Sequence, residues 1–483
     1  MSAELPELDD PPEGWATTSI RSVVTMLQYG ISTKADTNAV ASIPILRMSN
    51  IQDGYIDLSD LKYVRLADAN ASVRLARGDI IFNRTNSPEL VGKAAVVDDD
   101  RSMTFASYLI RLRCRPELAE PRLVCRWINS AWGREWAARV RTDGVSQSNI
   151  NGTKLAEMTV PLAPLAEQRR IVAQVEALLE QVIRAKGRLE RVTGILKRFR
   201  QAVLAAACSG ELTREWRTER GHAPHPAASD EDVPSDWTLA SPDDVAAATP
   251  NALAIGPFGS NLKVSDYCTS GTPLVFVRDI RAESFGGAGT KYVSETKARE
   301  LRSHAVRPGD LLITKMGEPP GDTALYPNDR LPGIITADCI KLTTNTNVAS
   351  ASYMRLCLRA EPARGQMLER SMGVAQQKLS LARFREIRFR LPGIDEQAEI
   401  VRQVDRLFTL AGTIERHVAA AAARADKLPQ AILSKAFSGE LVPTEAELAR
   451  AEGREYETAE ALLARVARPP TSMNSNRRRT NGE

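Results

Sequence analysis

The chain has 483 residues, of which 43% are hydrophobic and 26% charged, and its formal net charge is +4. These values are typical of a soluble globular protein with three or four domain-sized units, and so small a charge does not by itself indicate a nucleic-acid partner. Six cysteines and four histidines are dispersed, without a C-x-x-C motif, which argues against a metal site and favours a reducing compartment. The acidic start MSAELPELDD is not a signal peptide, and no apolar stretch is long enough for a bilayer. We therefore expect a cytoplasmic protein without a membrane segment.

Apolar periodicity and turn signals divide the chain into seven predicted segments, in which mixed bodies alternate with long helices. In chain order they are an N-terminal tail (1–14), a first body (15–160), a first helical region (161–212), a linker (213–236), a second body (237–392), a second helical region (393–443) and a charged C-terminal tail (444–483). The tail is expected to form one helix near 444–467 and then to be disordered.

The two halves of the chain repeat one another. QAVLAAACSGEL ends at Leu212 and QAILSKAFSGEL ends at Leu441, 229 positions later. Further upstream, GDIIFNR from Gly78 matches GDLLITK from Gly309 with a slip of two residues. Self-similarity of this length indicates one structural unit present twice.

Each body is predicted to be a mixed α/β (α+β) domain. IPILRMSNI and TPLVFVRDI are typical of short strands bounded by turns, and both GDIIFNR and GDLLITK begin with a Gly-Asp turn. RLVCRWINSAWGREWAARV and ASYMRLCLRAEPARGQMLER are each typical of one amphipathic helix.

Each body is followed by a helix with an apolar seam at steps of three and four residues, as in coiled coils. About 40 residues per helix give a length of about 60 Å, and Pro429 is expected to kink the second helix. Packing of large against small side chains does not decide the direction of pairing. The symmetry of a repeated unit favours antiparallel helices related by a pseudo-two-fold axis. The seam residues are Ile171, Val175, Leu178, Val182, Leu189, Leu196, Phe199, Ile400, Val404, Leu407, Ile414, Leu428 and Ile432.

Polar and basic residues on predicted loops of both bodies are candidates for contacts with DNA, because arginine, lysine, asparagine and glutamine contact base edges and phosphates. Two structural interpretations remain as alternatives to DNA contact. In the first, the glutamines cap a helix or stabilise a turn. In the second, the basic clusters form an ordinary solvent-exposed face. The candidates are Arg84, Thr85, Asn86, Lys93, Gln147, Ser148, Asn149, Lys263, Lys315, Gln376, Gln377 and Lys378.

Catalytic motifs occur only in unsuitable settings. FGGAG fits F-x-G-x-G but does not follow a buried strand, and DPPE has Glu13 where a methyltransferase needs an aromatic residue. The sequence also lacks the G-x-x-x-x-G-K-[ST] motif of nucleotide-driven motors. We therefore expect no catalytic site and no cofactor bound by this chain.

The order body–helix–body–helix resembles the specificity subunit of type I restriction–modification systems. The segments that carry the resemblance are GDIIFNRTNSPELVGKAAVV, PLAPLAEQRRIV, LPGIDEQAEIV, GPFGSNLK, KMGEPPGDTALYP, GVAQQKL, the two SGEL helix ends and VPTEAELARAEGREYETAEALL. The resemblance implies two target-recognition domains, each binding half of a split site in double-stranded DNA. It also implies that the helices set the gap and dock two methyltransferase (modification) subunits, which use S-adenosylmethionine. Restriction subunits would add ATP- and Mg-dependent translocation and cleavage.

A function of another class also fits the residues alone, namely a stand-alone coiled-coil scaffold or DNA-binding regulator without a methyltransferase partner. A helix of about 60 Å spans roughly 18 base pairs, which suits two half-sites on one duplex. A neighbouring gene with both F-x-G-x-G and N-P-P-[YF] would favour the restriction–modification hypothesis.

Overall fold

The structure is a computed structural model that describes residues 11–33, 42–52, 54–68, 71–145, 147–221, 234, 236–371 and 377–467. Its contacts divide the chain into two units. Unit 1 comprises Met1–Arg188 and Ala421–Glu483, and unit 2 comprises Leu189–Ala420. Each unit thus holds one mixed domain together with a part of each long helix.

Unit 1 contains the first mixed domain. Its elements are β1 (Ala16–Ser19), α1 (Ile20–Val23), β2 (Val24–Tyr29), β3 (Ser42–Leu46), β4 (Lys62–Arg65), β5 (Ile80–Asn83), β6 (Thr85–Asn86), β7 (Ala94–Val96), β8 (Thr104–Phe105), β9 (Leu109–Cys114), α2 (Pro121–Asn129), α3 (Ala131–Val140), β10 (Thr142–Asp143), β11 (Ser148–Asn149), α4 (Gly152–Ala156) and β12 (Thr159–Leu162). The central sheet is antiparallel, in the order β2-β9-β5-β7, beside the smaller sheets β4-β3-β8, β10-β11-β6 and β1-β12. The long helix α5 (Leu165–Ser209) follows.

Unit 2 contains the second mixed domain. Its elements are α6 (Arg214–Glu219), β13 (Thr238–Ala240), β14 (Leu253–Ile255), β15 (Thr272–Val275), α7 (Val277–Ala282), β16 (Tyr292–Val293), α8 (Glu295–Glu300), β17 (Ala305–Val306), β18 (Leu311–Thr314), β19 (Thr323–Leu325), β20 (Gly333–Ile335), β21 (Cys339–Leu342), α9 (Ala351–Arg359), α10 (Glu361–Glu369), α11 (Leu381–Arg385) and β22 (Phe389–Leu391). The sheets are β14-β21-β18-β19, β16-β15-β20-β17 and β13-β22. The second long helix, α12 (Ile394–Phe437), follows.

The two domains have the same fold. The sheets β2-β9-β5-β7 and β14-β21-β18-β19 share one antiparallel order, and the parallel pair β3–β8 corresponds to β15–β20. Both central strands start from the predicted Gly-Asp turns, where Gly78 and Gly309 have φ of +88° and +86°. Only glycine adopts this backbone without strain, which explains why both copies carry it.

Each of the amphipathic segments RLVCRWINSAWGREWAARV and ASYMRLCLRAEPARGQMLER contains two helices. In the first domain the chain breaks at Ser130, whose hydroxyl accepts a hydrogen bond from Gly133 N at 3.3 Å and caps α3. In the second domain α9 ends at Arg359 and Pro362 lies in the first turn of α10. A capping serine and a proline without an N–H favour a new helix start over continuation.

In unit 1 the long helices pack antiparallel. Ile171 and Val175, near the start of α5, share a hydrophobic core with Leu433 and Phe437, near the end of α12. Farther along, the Lys186 ammonium is 2.6 Å from a carboxylate oxygen of Asp426. The first part of α5 thus packs against the last part of α12.

Unit 2 shows the same direction of pairing. Val203, near the end of α5, packs in one core with Ile400 and Val404, near the start of α12. The Arg200 guanidinium is 2.9 Å from the Glu415 carboxylate. The antiparallel arrangement expected from symmetry is therefore present in both units.

Most residues of the expected seam are covered by neighbours. Two are not, because Ile414 is 37% and Leu428 45% exposed. An α-helix has 3.6 residues per turn, so a seven-residue pattern drifts around a straight helix, and near Leu428 burial passes to Ala425 and Leu433. Helix α12 continues through Pro429 to Phe437. The buried seam residues are Ile171, Val175, Val182, Leu196, Ile400 and Val404, and the half-buried ones are Leu178, Leu189, Phe199, Leu407 and Ile432.

The C-terminal segment is two helices instead of the one expected, α13 (Glu445–Glu452) and α14 (Ala459–Ala467). Gly453 ends α13 with a left-handed φ of +65°, a conformation that favours glycine. Ala459 and Leu462 are buried in the core of unit 1. The final segment NSNRRRTNGE lies outside the described residues. None of the helices in the described ranges is long and apolar enough to cross a membrane.

A buried carboxylate joins each mixed domain to its long helix. In unit 1 the Trp15 indole Nε1 donates to Glu167 Oε1 at 2.8 Å, and the backbone N of Glu445 donates to Glu167 Oε2 at 2.7 Å. Burial raises the pKa of Glu167, whereas these hydrogen bonds lower it. The carboxylate thus connects the start of the domain, the start of α5 and the start of α13.

Unit 2 contains the same arrangement, a buried glutamate that accepts the indole N–H of a tryptophan, which we call the tryptophan–glutamate clasp. The Trp237 Nε1 donates to Glu396 Oε2 at 2.9 Å, and the Thr213 hydroxyl donates to Glu396 Oε1 at 2.6 Å. Arg217 on α6 binds the same oxygen. Thr213 and Arg217, in the first part of the predicted linker, are thus bonded to Glu396 at the start of α12, and this part of the linker is folded.

The neighbouring glutamines complete both clasps. Gln168 Oε1 accepts from Glu120 N at 2.8 Å, and Gln397 Oε1 accepts from Ser350 N, also at 2.8 Å. Each amide thus caps the backbone before α2 or α9. The repeated Glu-Gln pair is structural in both units.

Replacing Glu167 by alanine is expected to lower the free energy of unfolding by about 1–3 kcal/mol, because the Trp15 indole and the Glu445 amide lose a charged acceptor in the interior. The measurement is denaturant unfolding of the full chain followed by tryptophan fluorescence. The matched control is Glu180→Ala, since Glu180 is exposed and its ion-pair partner in the described part of the chain is Arg184, one turn away. Equal effects of both substitutions would contradict a stabilising role for the clasp.

Candidate nucleic-acid interface

In the first domain, short strand pairing brings five predicted residues into one place. Strand β11 pairs antiparallel with β6, so that Asn149 lies opposite Thr85 and Ser148 lies opposite Asn86. The backbone N of Ile150 donates to Arg84 O at 2.9 Å and extends this pairing. Residues 62 to 66 positions apart in sequence therefore form one continuous surface.

Arg84 and Asn149 form the centre of this surface. Arg84 Nη2 donates to Asn149 Oδ1 at 3.1 Å, and Asn149 Nδ2 donates to Thr85 Oγ1 at 2.8 Å. The guanidinium also lies 5.1 Å from the centroid of the Tyr29 ring, within the range of a cation–π interaction. These side chains are occupied with each other, so they position the surface and are poor candidates for reading bases.

Thr85 and Ser148 are buried, so these side chains are less accessible than the sequence suggested, and their contact with DNA stays a prediction. The Ser148 hydroxyl donates to Asp143 Oδ1 at 2.5 Å. This bond, and less strongly Arg141, lowers the pKa of Asp143. Strand pairing turns the side chain of Ser148 inward, where it fixes the base of the β10–β11 hairpin.

The tip of this hairpin, unlike its base, is exposed to solvent. The backbone N of Gly144 donates to Gln147 O at 2.8 Å and closes the turn. Gln147 is exposed, and Val145 is fully exposed. Gln147 is therefore the predicted residue of the first domain best placed to contact another molecule through its side chain.

Asn86 and Lys93 flank the surface and are half-buried. The Asn86 side-chain oxygen accepts from the backbone N of Ser87 at 2.8 Å. Lys93 precedes β7, and its carbonyl accepts from Asn83 N at 2.8 Å. The side chain of Asn86 and the backbone of Lys93 are therefore both used in hydrogen bonds within this segment.

In the second domain, Lys315 and Lys378 meet at the equivalent place. Met316 and Lys378 form an antiparallel bridge, and the backbone N of Leu379 donates to Lys315 O at 2.9 Å. Lys315 is buried, donates from Nζ to Ala337 O at 3.1 Å, and lies 5.4 Å from the centroid of the Phe258 ring. Burial, and next the charge of Lys378, lowers the pKa of Lys315.

The remaining candidates of the second domain differ in their positions. Gln377 is exposed beside Lys378, and Gln376 lies outside the described residues. Lys263 is exposed, and its backbone N donates to Asp266 Oδ2 at 2.7 Å.

Tyr29 and Phe258 belong to these clusters and were not among the predicted residues. The sequence repeat does not reveal this pair, because the counterpart of Tyr29 in strand register is Ile255, three residues before Phe258. Among the described residues, no group of three or more histidine, cysteine, aspartate or glutamate side chains is placed to hold a metal ion.

Comparison with known proteins agrees with this architecture. A family model described as "Type I restriction modification DNA specificity domain" matches residues 297–421. The type I restriction enzyme EcoKI specificity subunit of Escherichia coli (strain K12) is 30% identical and is covered over 90% of its length, with 89% of this chain. The StySPI specificity subunit of Salmonella potsdam is 29% identical over the same shares.

Two solved structures share the fold. The HsdS subunit of Thermoanaerobacter tengcongensis matches with a TM-score of 0.56 at 22% identity, over 89% of this chain and 98% of that chain. A chain from a structure of a type I R-M system matches with a TM-score of 0.60 at 22% identity, over 90% of this chain and 100% of that chain.

The identity of 30% over nine-tenths of both chains, together with the duplicated domain and helix, defines the class of protein. The chain belongs to the specificity subunits of type I restriction enzymes. It is the part of such a complex that recognises DNA, and it is not the catalytic part.

Replacing Gln147 by alanine is expected to weaken binding to the specific DNA site by about 1–3 kcal/mol, the scale of one base contact, and to leave unfolding unchanged because the side chain is exposed. Replacing Ser148 by alanine is expected to destabilise the fold, since it removes a partly buried hydrogen bond to Asp143. Equilibrium binding and thermal unfolding of the full chain measure the two effects. Unchanged affinity and unchanged site preference in Gln147→Ala would make Gln147 a turn residue only.

Proposed function

We propose that the two mixed domains bind the two halves of a bipartite site in double-stranded DNA and that α5 and α12 set the distance between the halves. The observation that carries this proposal is the duplication: one domain occurs twice in one chain, and each copy is clasped to the start of a long helix. The two helices pack antiparallel in both units. Each copy also gathers polar and basic residues on a surface formed by the same strands.

We further propose that the long helices dock two methyltransferase subunits. Several large apolar side chains on these helices are exposed, namely Ile183, Ile195, Leu410 and Leu428, the last of which was expected in the seam. Exposed apolar residues on otherwise charged helices suit a partner surface. The partner subunits would bring S-adenosylmethionine, and restriction subunits would bring ATP and Mg. The complex would act in the cytoplasm.

Methylation mapping of the host genome tests this function directly. In cells with the intact chain, methylated adenines are expected in one motif with two defined halves and a fixed gap. In cells without the chain, methylation of that motif is expected to disappear. A methylation pattern that is the same in both strains would contradict the proposal.

Lengthening both helices by seven residues is expected to lengthen the gap in the recognised motif by roughly 3 base pairs, since seven helical residues add about 10 Å. The insertions are placed between Arg188 and Leu189 and between Ala420 and Ala421. The division between the units falls there, so the contacts inside each unit are kept. Methylation mapping reads the gap.

The matched control is a seven-residue insertion in the predicted linker after residue 228, which is expected to leave the motif unchanged. An unchanged gap in the variant with both helices lengthened, with methylation retained, would show that the helices do not set the distance.

A further inference from the structure

Both units contain a cation next to an aromatic ring, and the two cations occupy equivalent positions. In unit 1 the Arg84 guanidinium lies 5.1 Å from the Tyr29 ring centroid. In unit 2 the Lys315 ammonium lies 5.4 Å from the Phe258 ring centroid. Arg84 follows β5 closely, and Lys315 follows the corresponding strand β18. The two cations thus follow equivalent strands, whereas the rings differ in position: the counterpart of Tyr29 in strand register is Ile255, three residues before Phe258.

In unit 1 both Nη atoms of Arg84 and the Tyr29 hydroxyl bond to neighbouring residues, whereas Arg84 Nε has no hydrogen-bond partner among the described residues. Arg84 donates to Asn149 Oδ1 at 3.1 Å and to Ser107 O at 3.3 Å. The Tyr29 hydroxyl accepts from Gly152 N at 2.7 Å. A cation with two oxygen acceptors and an aromatic face has little need of an external partner.

The pair in unit 2 has a different environment, because the residue equivalent to Asn149 is Lys378. An oxygen acceptor is thus replaced by a second positive charge. Lys315 keeps one hydrogen bond from Nζ, to Ala337 O. Phe258 is 66% exposed, and Lys378 is exposed and forms no ion pair within the described ranges.

The charges of Lys315 and Lys378, beside the ring of Phe258, favour binding of a hydrogen-bond acceptor. Burial lowers the pKa of Lys315, the charge of Lys378 lowers it further, and Asp338 acts in the opposite direction. Two ammonium groups at one place repel each other, and an electron-rich group bound between them relieves this repulsion. Such a group would also find the exposed Phe258 ring beside it.

We propose that Phe258, Lys315 and Lys378 form a binding site for an acceptor-rich group of DNA, either the O6/N7 edge of a guanine or a backbone phosphate. Lysine binds both kinds of acceptor. The inference rests on the proposed function and deepens it. The second domain binds an acceptor through two cations, whereas the first domain presents the amide of Gln147. The two half-sites are therefore recognised by different chemistry.

The test uses the full chain in its complex and a fluorescent duplex with the motif found by methylation mapping, beside a duplex of scrambled sequence. Lys378→Gln and Phe258→Leu are each expected to lower affinity for the motif about 10-fold or more. The matched control is Lys291→Gln, because Lys291 is an exposed lysine of the same unit just before β16. It is expected to keep normal affinity.

The salt and sequence dependence identify the acceptor. If it is a guanine, Lys378→Gln relaxes the preference for one base in one half-site and leaves binding to scrambled DNA unchanged. If it is a phosphate, the variant weakens binding to both duplexes and reduces the salt slope by about 1. Either result supports the site.

The proposal is overturned if Lys378→Gln and Phe258→Leu both behave like Lys291→Gln in affinity, base preference and salt slope while the motif remains bipartite. Thermal unfolding of each variant separates loss of contact from loss of fold. A motif without two halves in the unaltered chain would instead contradict the proposed function itself.

Discussion

The buried carboxylates of Glu167 and Glu396 are the contacts on which the rest of the architecture depends. Each lies at the start of a long helix and accepts the indole N–H of the tryptophan that opens the adjoining domain, Trp15 or Trp237. The same carboxylate also binds the chain that follows the end of the other long helix. One charged group therefore fixes the orientation of the domain on its helix and closes the helix pair at that end. An interior carboxylate without these donors would be costly, because a buried charge needs hydrogen bonds to replace water.

The two domains share this scaffold but differ in the residues on their surfaces. Strand pairing at the end of the central sheet brings a cation and an aromatic ring together in both units. The next residue of the cluster is Asn149 in one copy and Lys378 in the other, so one cluster is internally bonded and the other carries an excess of positive charge. A duplicated scaffold with independent surface residues allows each half of a site to be recognised separately.

Much of the fold could be predicted from the sequence. The steps of three and four residues predicted both long helices, because burial of a helix stripe requires that period, and the Gly-Asp turns predicted the central strands. The exposure of Ile414 and Leu428 could not be read from the same pattern, since it depends on how far each helix turns relative to its partner. The exposure of the candidate residues was predicted less well. Serine is a residue type that contacts DNA, yet pairing of β11 with β6 buries the side chain of Ser148.

The sequence by itself determined that one unit occurs twice, that each copy ends in a long amphipathic helix, and which polar residues are available on the loops. These properties follow from local periodicity and from comparison of the two copies. Only the tertiary structure decided which of those polar residues face solvent, because strand pairing between distant segments sets the direction of each side chain. It also decided that Tyr29 and Phe258 belong to the clusters, since cation and ring are more than fifty residues apart in each copy and meet only when the sheet forms.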